Sequence, residues 1–166
     1  MNLRQKIFTI LTLLWMVVIF IFSAQPGEVS GGVSKWAGMV FAQIFVPGFE
    51  DWTVEKQDEF AIAIDYPVRK TAHFAEFAIL GFFVAGVLIK KASYKKALVP
   101  WLIASFYAAT DEFHQLFVPE RAGMVKDALL DSCGAMAGVL VFILFYKMHK
   151  DKRENKQNSD LQDAHN

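Results

Sequence analysis

The chain has 166 residues, 54% of them hydrophobic and 20% charged, with a formal net charge of zero and a mean hydropathy of +0.30. That composition excludes an ordinary soluble domain and a disordered chain, and the length leaves room for one helical unit. A nucleic-acid partner is also excluded, because the basic residues form only short clusters at the ends of apolar runs.

The first apolar run covers residues 7–22, preceded by Arg4 and Lys6 and interrupted only by Thr9 and Thr12. Extended back to Leu3 it reaches 20 residues, enough to cross about 30 Å of hydrocarbon. Phe22-Ser23-Ala24 is a poor cleavage site, so an uncleaved span is expected rather than a signal peptide. Gln25-Pro26-Gly27 then reads as a turn, and Gly31-Gly32 continues the break. Residues 33–46 are apolar but too short to span. With Trp36 and, further on, Trp52 at the boundary, they predict an interfacial helix. A second short amphipathic helix is expected over residues 55–64, before Tyr66-Pro67.

The second run covers residues 71–89 and carries His73 and Glu76 near its start. The third begins at Leu98. It spans only if it continues to Phe117 and takes in Asp111, Glu112, His114 and Gln115. The fourth covers residues 128–146, with Asp131 near its start. Its Cys133 has no second cysteine to pair with and is expected to be a buried, inert thiol.

The placement of basic residues predicts the orientation. Arg4 and Lys6 precede the first run. Lys90, Lys91, Lys95 and Lys96 fill the connection between the second and third. Lys147, Lys150, Lys152, Arg153 and Lys156 follow the fourth. With four spans all three groups fall on one side, and the positive-inside rule makes that side cytoplasmic. The expected fold is therefore an all-α integral membrane protein of the cytoplasmic (plasma) membrane. It has four transmembrane helices with both termini inside, plus the interfacial helix. The spanning domain covers residues 1–147, and a disordered cytoplasmic tail covers residues 148–166.

The same alternation brings distant ionisable residues to one outward layer. Arg69, His73 and Glu76 share a helical face, as do Asp111, His114 and Gln115, while Glu112 points about a quarter turn away. Asp127 and Asp131 lie on a stripe that continues through Gly134 and Gly138, a GxxxG spacing that permits close helix approach. A charge near mid-membrane costs roughly 2.5–3.5 kcal/mol. A whole set of them points either to a neutralising network that locks the bundle or to a pocket. As a pocket, Arg69, Lys70 and Arg121 suit an anionic head group, with Gln115, Asp127 and Asp131 beside them. His73 and His114 suit proton exchange, and Glu76, Asp111 and Glu112 suit orienting a histidine or accepting a proton. No recognised metal signature, nucleotide-binding motif or activated nucleophile accompanies them, so the cofactor, the metal and the catalytic status stay open.

The segment Arg69-Lys70-Thr71-Ala72-His73-Phe74-Ala75-Glu76-Phe77, followed by Leu80-Gly81, resembles the first signature of the VanZ-like membrane family. The stretch from Asp111-Glu112-Phe113-His114-Gln115 to Pro119-Glu120-Arg121 resembles the second. Asp127, Asp131, Gly134 and Gly138 resemble its continuation. The family commonly has glycine after the proline, where this chain has Glu120. The resemblance implies a bacterial cell-envelope setting, and one family member is associated with resistance to teicoplanin. The preferred reading is recognition of an anionic or lipid-linked envelope component, with membrane lipids as surroundings. A non-catalytic assembly protein, homo-oligomeric or partnered, and a small-solute or ion transporter are the alternatives.

Overall fold

Helix starts follow local chemistry. The computed structural model describes residues 1–90 and 93–163, with the side chains of these apart from 154 and 156–163. Helix α1 (Leu3–Ser23) opens with a capping box: the Asn2 side chain accepts the Gln5 N–H, and the Gln5 side chain accepts the Asn2 N–H. Pro26 then precedes α2 (Gly27–Phe45). Gly31 and Gly32 lie inside α2 rather than prolonging the break, and α2 is longer than the expected interfacial helix over residues 33–46. A left-handed Gly48 and a single 3-10 turn (Phe49–Asp51) lead to Thr53, whose hydroxyl caps α3 (Val54–Leu88) by accepting the Lys56 N–H.

α3 fuses two expected elements. The amphipathic segment 55–64 and the run 71–89 form one helix that passes through Pro67 without stopping. Pro67 forfeits the bond to the carbonyl four residues back and crowds that carbonyl with its ring. Contact with α2 supports the segment on both sides of it: Gly38 of α2 has no room for a Cβ against the Ile64 side chain, and Val68 lies beside it. A second 3-10 turn (Tyr94–Lys96) joins α3 to α4 (Leu98–Gln115). Lys91, counted above with the basic residues of this connection, lies outside the described residues. Helix α5 (Val125–Asp163) continues beyond Lys147, where the spanning domain is expected to end. Residues 148–163 contain no glycine or proline and many good helix formers, so nothing local breaks the turn. Residues 164–166 of the expected tail lie outside the described residues.

The central packing is α3 on α5. A Cβ on Gly134 would strike the Phe74 carbonyl, one on Gly138 the Ala78 carbonyl, and one on Gly81 the Ala135 carbonyl. Two backbones therefore touch at three points over about two turns of α3. α1 and α4 flank this pair, and Ile19, Phe77, Leu80, Val84, Ala104, Ala108 and Ala135 fill the shared core. A second cluster of Ala85, Ile89, Val139, Phe142 and Ile143 lies beneath it. The polar atoms of the core aromatics are satisfied. Trp15 donates to the Glu76 carbonyl (2.9 Å), Trp101 to the Ser132 carbonyl (3.0 Å) and Tyr107 to the Met16 carbonyl (2.7 Å).

The outside is as apolar as the inside. Leu13, Leu14, Val17 and Ile21 of α1, Leu102, Ile103 and Phe106 of α4, and Val141, Leu144 and Phe145 of α5 are all exposed. Cys133 is exposed as well, correcting the expected buried thiol. Among the described residues three segments are long and apolar enough to cross a membrane: Leu3–Ser23, Val54–Leu88 and Val125–Arg153. The chain is a multi-pass helical membrane protein. α4 falls outside that set because its 18 residues include Asp111, Glu112, His114 and Gln115.

Hydrogen bonds mark two ends of the bundle. At one end Arg4 donates to the Ile89 carbonyl, Gln5 to Val87 and Tyr146 to Lys90. At the other, Arg121 from the α4–α5 connection donates to the carbonyls of Phe22, in the last turn of α1, and Gln25, just past it. α4 runs from the first end to the second.

Replacing Gly138 with valine is expected to lower stability by about 3 kcal/mol through overpacking. Gly31→Ala, where a Cβ meets open space, is expected to be neutral or stabilising by up to about 1 kcal/mol. Thermal unfolding of the two variants in the same detergent measures the contrast.

Candidate functional site

The second end of the bundle holds the polar residues. Close approach of α3 and α5 sets the face of Lys70 and His73 against the first turns of α5. Lys70 Nζ lies 2.5 Å from Asp127 Oδ2. One turn further in, Asp131 is buried, and its Oδ2 has no hydrogen-bond partner. On α3 itself Arg69 pairs with Asp65 at 2.6 Å, and Asp65 also accepts the Ser34 hydroxyl from α2. His73 and Glu76 share the adjoining face, with Nδ1 and Oε2 3.9 Å apart. That is too far for a hydrogen bond, and His73 Nδ1 is buried without one.

α4 supplies the back wall. Asp111, Glu112 and Gln115 are all buried. Gln115 donates to Asp111 (3.1 Å), and Glu112 accepts the Met124 N–H (2.9 Å) at the entry to α5. Gly123 fits beneath, where a Cβ would meet the Glu112 carbonyl. His114 turns toward α1 instead. Its ring packs on Phe20 with centroids 4.8 Å apart, and its buried Nδ1 has no partner.

The connection between α4 and α5 closes the end. Glu120 adopts φ +60°, a left-handed conformation that favours glycine. Its carboxylate accepts the Glu28 N–H (2.9 Å), one of the unpaired donors in the first turn of α2. The Pro119 carbonyl accepts the Gly27 N–H (3.0 Å), and Gly27 has no room for a Cβ against the Glu120 carbonyl. The α2 N-terminus is therefore docked onto this turn. The docking also fixes Arg121, whose Nε and Nη2 donate to the Gln25 and Phe22 carbonyls at 2.9 and 3.1 Å.

Two adjoining clefts of about 210 Å³ each open here, and Arg69, His73 and Arg121 line both. The first lies between α2 and α3 and adds Gln25, Ser34 and Glu76. The second lies toward α5 and adds Tyr66, Lys70, Gln115, Glu120, Lys126 and Asp127. Four cationic side chains against two carboxylates make the second cleft an anion-attracting one. Burial pulls the Arg121 guanidinium below its usual value, with Asp111 acting in the opposite sense. It stays charged. Among the described residues no carboxylate lies within 4 Å of it. Its side chain lines both clefts.

The structure thus gathers Arg69, Lys70, His73, Glu76, Gln115, Arg121 and Asp127 around two connected spaces. Asp111, Glu112 and Asp131 lie buried behind them, and His114 stands apart on the α1 side. Sequence reasoning passed over Asp65, Ser34 and Gln25. Only Asp65 left a signal, its i,i+4 spacing to Arg69. Among the described residues no three His, Cys, Asp or Glu side chains are placed to hold a metal ion.

The family model described as VanZ/LLP1 matches residues 8–146, nearly the whole described bundle, and the chain belongs to that family. It is a bacterial cell-envelope membrane protein. Neither a curated protein nor a solved structure matches it significantly.

Lys70→Met leaves the buried Asp127 without its partner and is expected to cost about 3 kcal/mol, while Lys70→Met with Asp127→Leu recovers most of it. Glu120→Ala keeps the strained backbone and loses the cap on α2, for an expected cost of about 1 kcal/mol. Glu120→Gly, which also relieves the left-handed conformation, is expected to be nearly neutral. Unfolding midpoints of the purified variants measure both pairs.

Proposed function

We propose that this member of the VanZ/LLP1 family lies in the bacterial cytoplasmic membrane with four spanning helices and both termini inside, and that its outward end recognises an anionic group on an envelope component. The topology is supported by the two bundle ends: α4, with 18 residues against 21 in α1, runs between the same two ends, so its polar end need only reach the outer headgroup layer. Lys90, Lys95 and Lys96 then share the inner side with Arg4 and Lys147.

The observation that carries the recognition reading is Arg121. It is a partly buried guanidinium, held by backbone carbonyls and short of a carboxylate, standing with Arg69 between two clefts. A fork of N–H donors in that setting suits phosphate or carboxylate. His73 and Glu76 beside it are placed to exchange or orient a proton on the bound group, and catalysis is not assigned to them. The family's association with teicoplanin resistance belongs to the same envelope setting.

One observation favours a purely structural role for the cluster: Arg69 and Lys70 are already paired internally. In that case His73→Gln and Asp111→Asn lower the yield of folded protein, whereas a recognition site loses activity with yield unchanged.

Two measurements test the proposal. Arg121→Lys keeps the charge but not the fork and is expected to weaken binding of butyl phosphate to the purified protein about tenfold. Single cysteines at Lys96 and Ala122 in a Cys133→Ala background are expected to react with an impermeant maleimide only at position 122 in intact cells. Labelling at position 96 overturns the topology.

A further inference from the structure

The first cleft does not end in a wall. Ala37 of α2 and Val68 of α3 line it, and the same two residues line a neighbouring groove of about 480 Å³ between those helices. Phe41, Phe60, Ile64 and Pro67 make up most of the rest of that groove, so the lining turns from cationic to hydrocarbon across one pair of side chains. Between Thr71 and Phe60 the groove follows α3 for about 16 Å.

Its chemistry admits little except hydrocarbon. Pro67 has no N–H. The one hydroxyl in the lining, on Thr71, is already donated to the Pro67 carbonyl at 2.8 Å. No cation or carboxylate lines it. All the charge lies at the end where Arg69 and Arg121 stand. A ligand complementary to both spaces carries an anion at one end and an extended hydrocarbon chain at the other. Phe41, which is 56% exposed, leaves the groove open along its length, so a chain need not be threaded.

We infer that the α2–α3 groove holds the hydrocarbon tail of a long-chain phosphate amphiphile whose head occupies the Arg69–Arg121 cleft. The inference rests on the anion-recognition reading and adds the class of ligand: a phosphate on a long chain rather than a soluble phosphate. α2 has a defined part in this. Its docking through Gly27 and Glu28 to the Pro119–Glu120 turn holds one wall of the groove at a fixed distance from Arg121.

The test uses the full chain in phosphatidylcholine nanodiscs with two probes: hexadecyl phosphate carrying a diazirine at its last carbon, and butyl phosphate. Photolabelling is expected on Phe41, Phe60 or Ile64. Phe41→Asp, which puts a carboxylate into the groove at a residue that lines neither cleft, is expected to weaken hexadecyl phosphate at least about tenfold while changing butyl phosphate less than about twofold. Label spread over the lipid-facing sides of α1 and α4, or equal weakening of both probes by Phe41→Asp, overturns the tail assignment even if butyl phosphate binds. Groove labelling that persists while Arg121→Lys alters neither affinity supports the tail site and overturns the anion reading. Should Phe41→Asp not fold, the labelling pattern of the unaltered protein decides.

Discussion

Backbone-to-backbone contact between α3 and α5 is the constraint on which the rest of this molecule depends. In a bilayer, helices gain little from burying apolar side chains, because lipid offers the same environment. Association then comes from dispersion at close range and from polar contacts. Gly81, Gly134 and Gly138 let the two longest helices approach until carbonyls lie where a Cβ would be. The approach also sets the register. With Gly134 against Phe74 and Gly138 against Ala78, Lys70 lies one turn before these contacts on α3 and Asp127 two turns before them on α5, within reach of the long lysine side chain. The charged end is thus aligned by contacts that themselves carry no charge.

That alignment makes a polar cluster tolerable in an apolar protein. Arg69 and Lys70 each have a carboxylate, Glu112 has a backbone N–H, and Asp111 has Gln115. Not everything is matched. His73 Nδ1, His114 Nδ1 and Asp131 Oδ2 are buried without partners, and Arg121 rests on carbonyls alone. A device built only to hold helices together gains nothing from unmatched groups, since each costs about 1–3 kcal/mol. Of these groups His73 and Arg121 line the clefts, Asp131 lies behind them and His114 on the α1 side, while Arg4 Nε is unpartnered at the opposite end.

Much of this was legible in the sequence because membrane proteins write their architecture in long runs. The positions of α1, α4 and the apolar part of α5 follow from hydropathy, and the shared faces of Arg69, His73 and Glu76 follow from helical spacing. Pro67 misled: read locally, Tyr66-Pro67 separates two helices, yet contacts with Gly38 on α2 carry α3 straight through. Gly31 and Gly32 misled in the same direction, being breakers by propensity inside a helix held at its N-terminus by a distant turn. Cys133 lies in an apolar run, but in lipid an apolar run does not imply an inward face. The docking of Glu120 on Glu28 was beyond sequence reading. It joins residues 92 positions apart and places a glutamate where backbone geometry asks for glycine.

That docking has a consequence for how the protein comes into being. The carbonyls that receive Arg121 are made 96 and 99 residues before it, and α2 waits equally long for its cap. During synthesis the N-terminal helices emerge and insert first. Arg69 then enters the bilayer with its neutraliser already in hand, one turn away at Asp65, whereas Lys70 must wait for Asp127 on the last helix. Until the final hairpin arrives, the clefts lack Arg121 and Lys70 lacks its carboxylate. Closure of the charged end and completion of the chain are therefore nearly the same event, and a truncated product carries that end only in fragments.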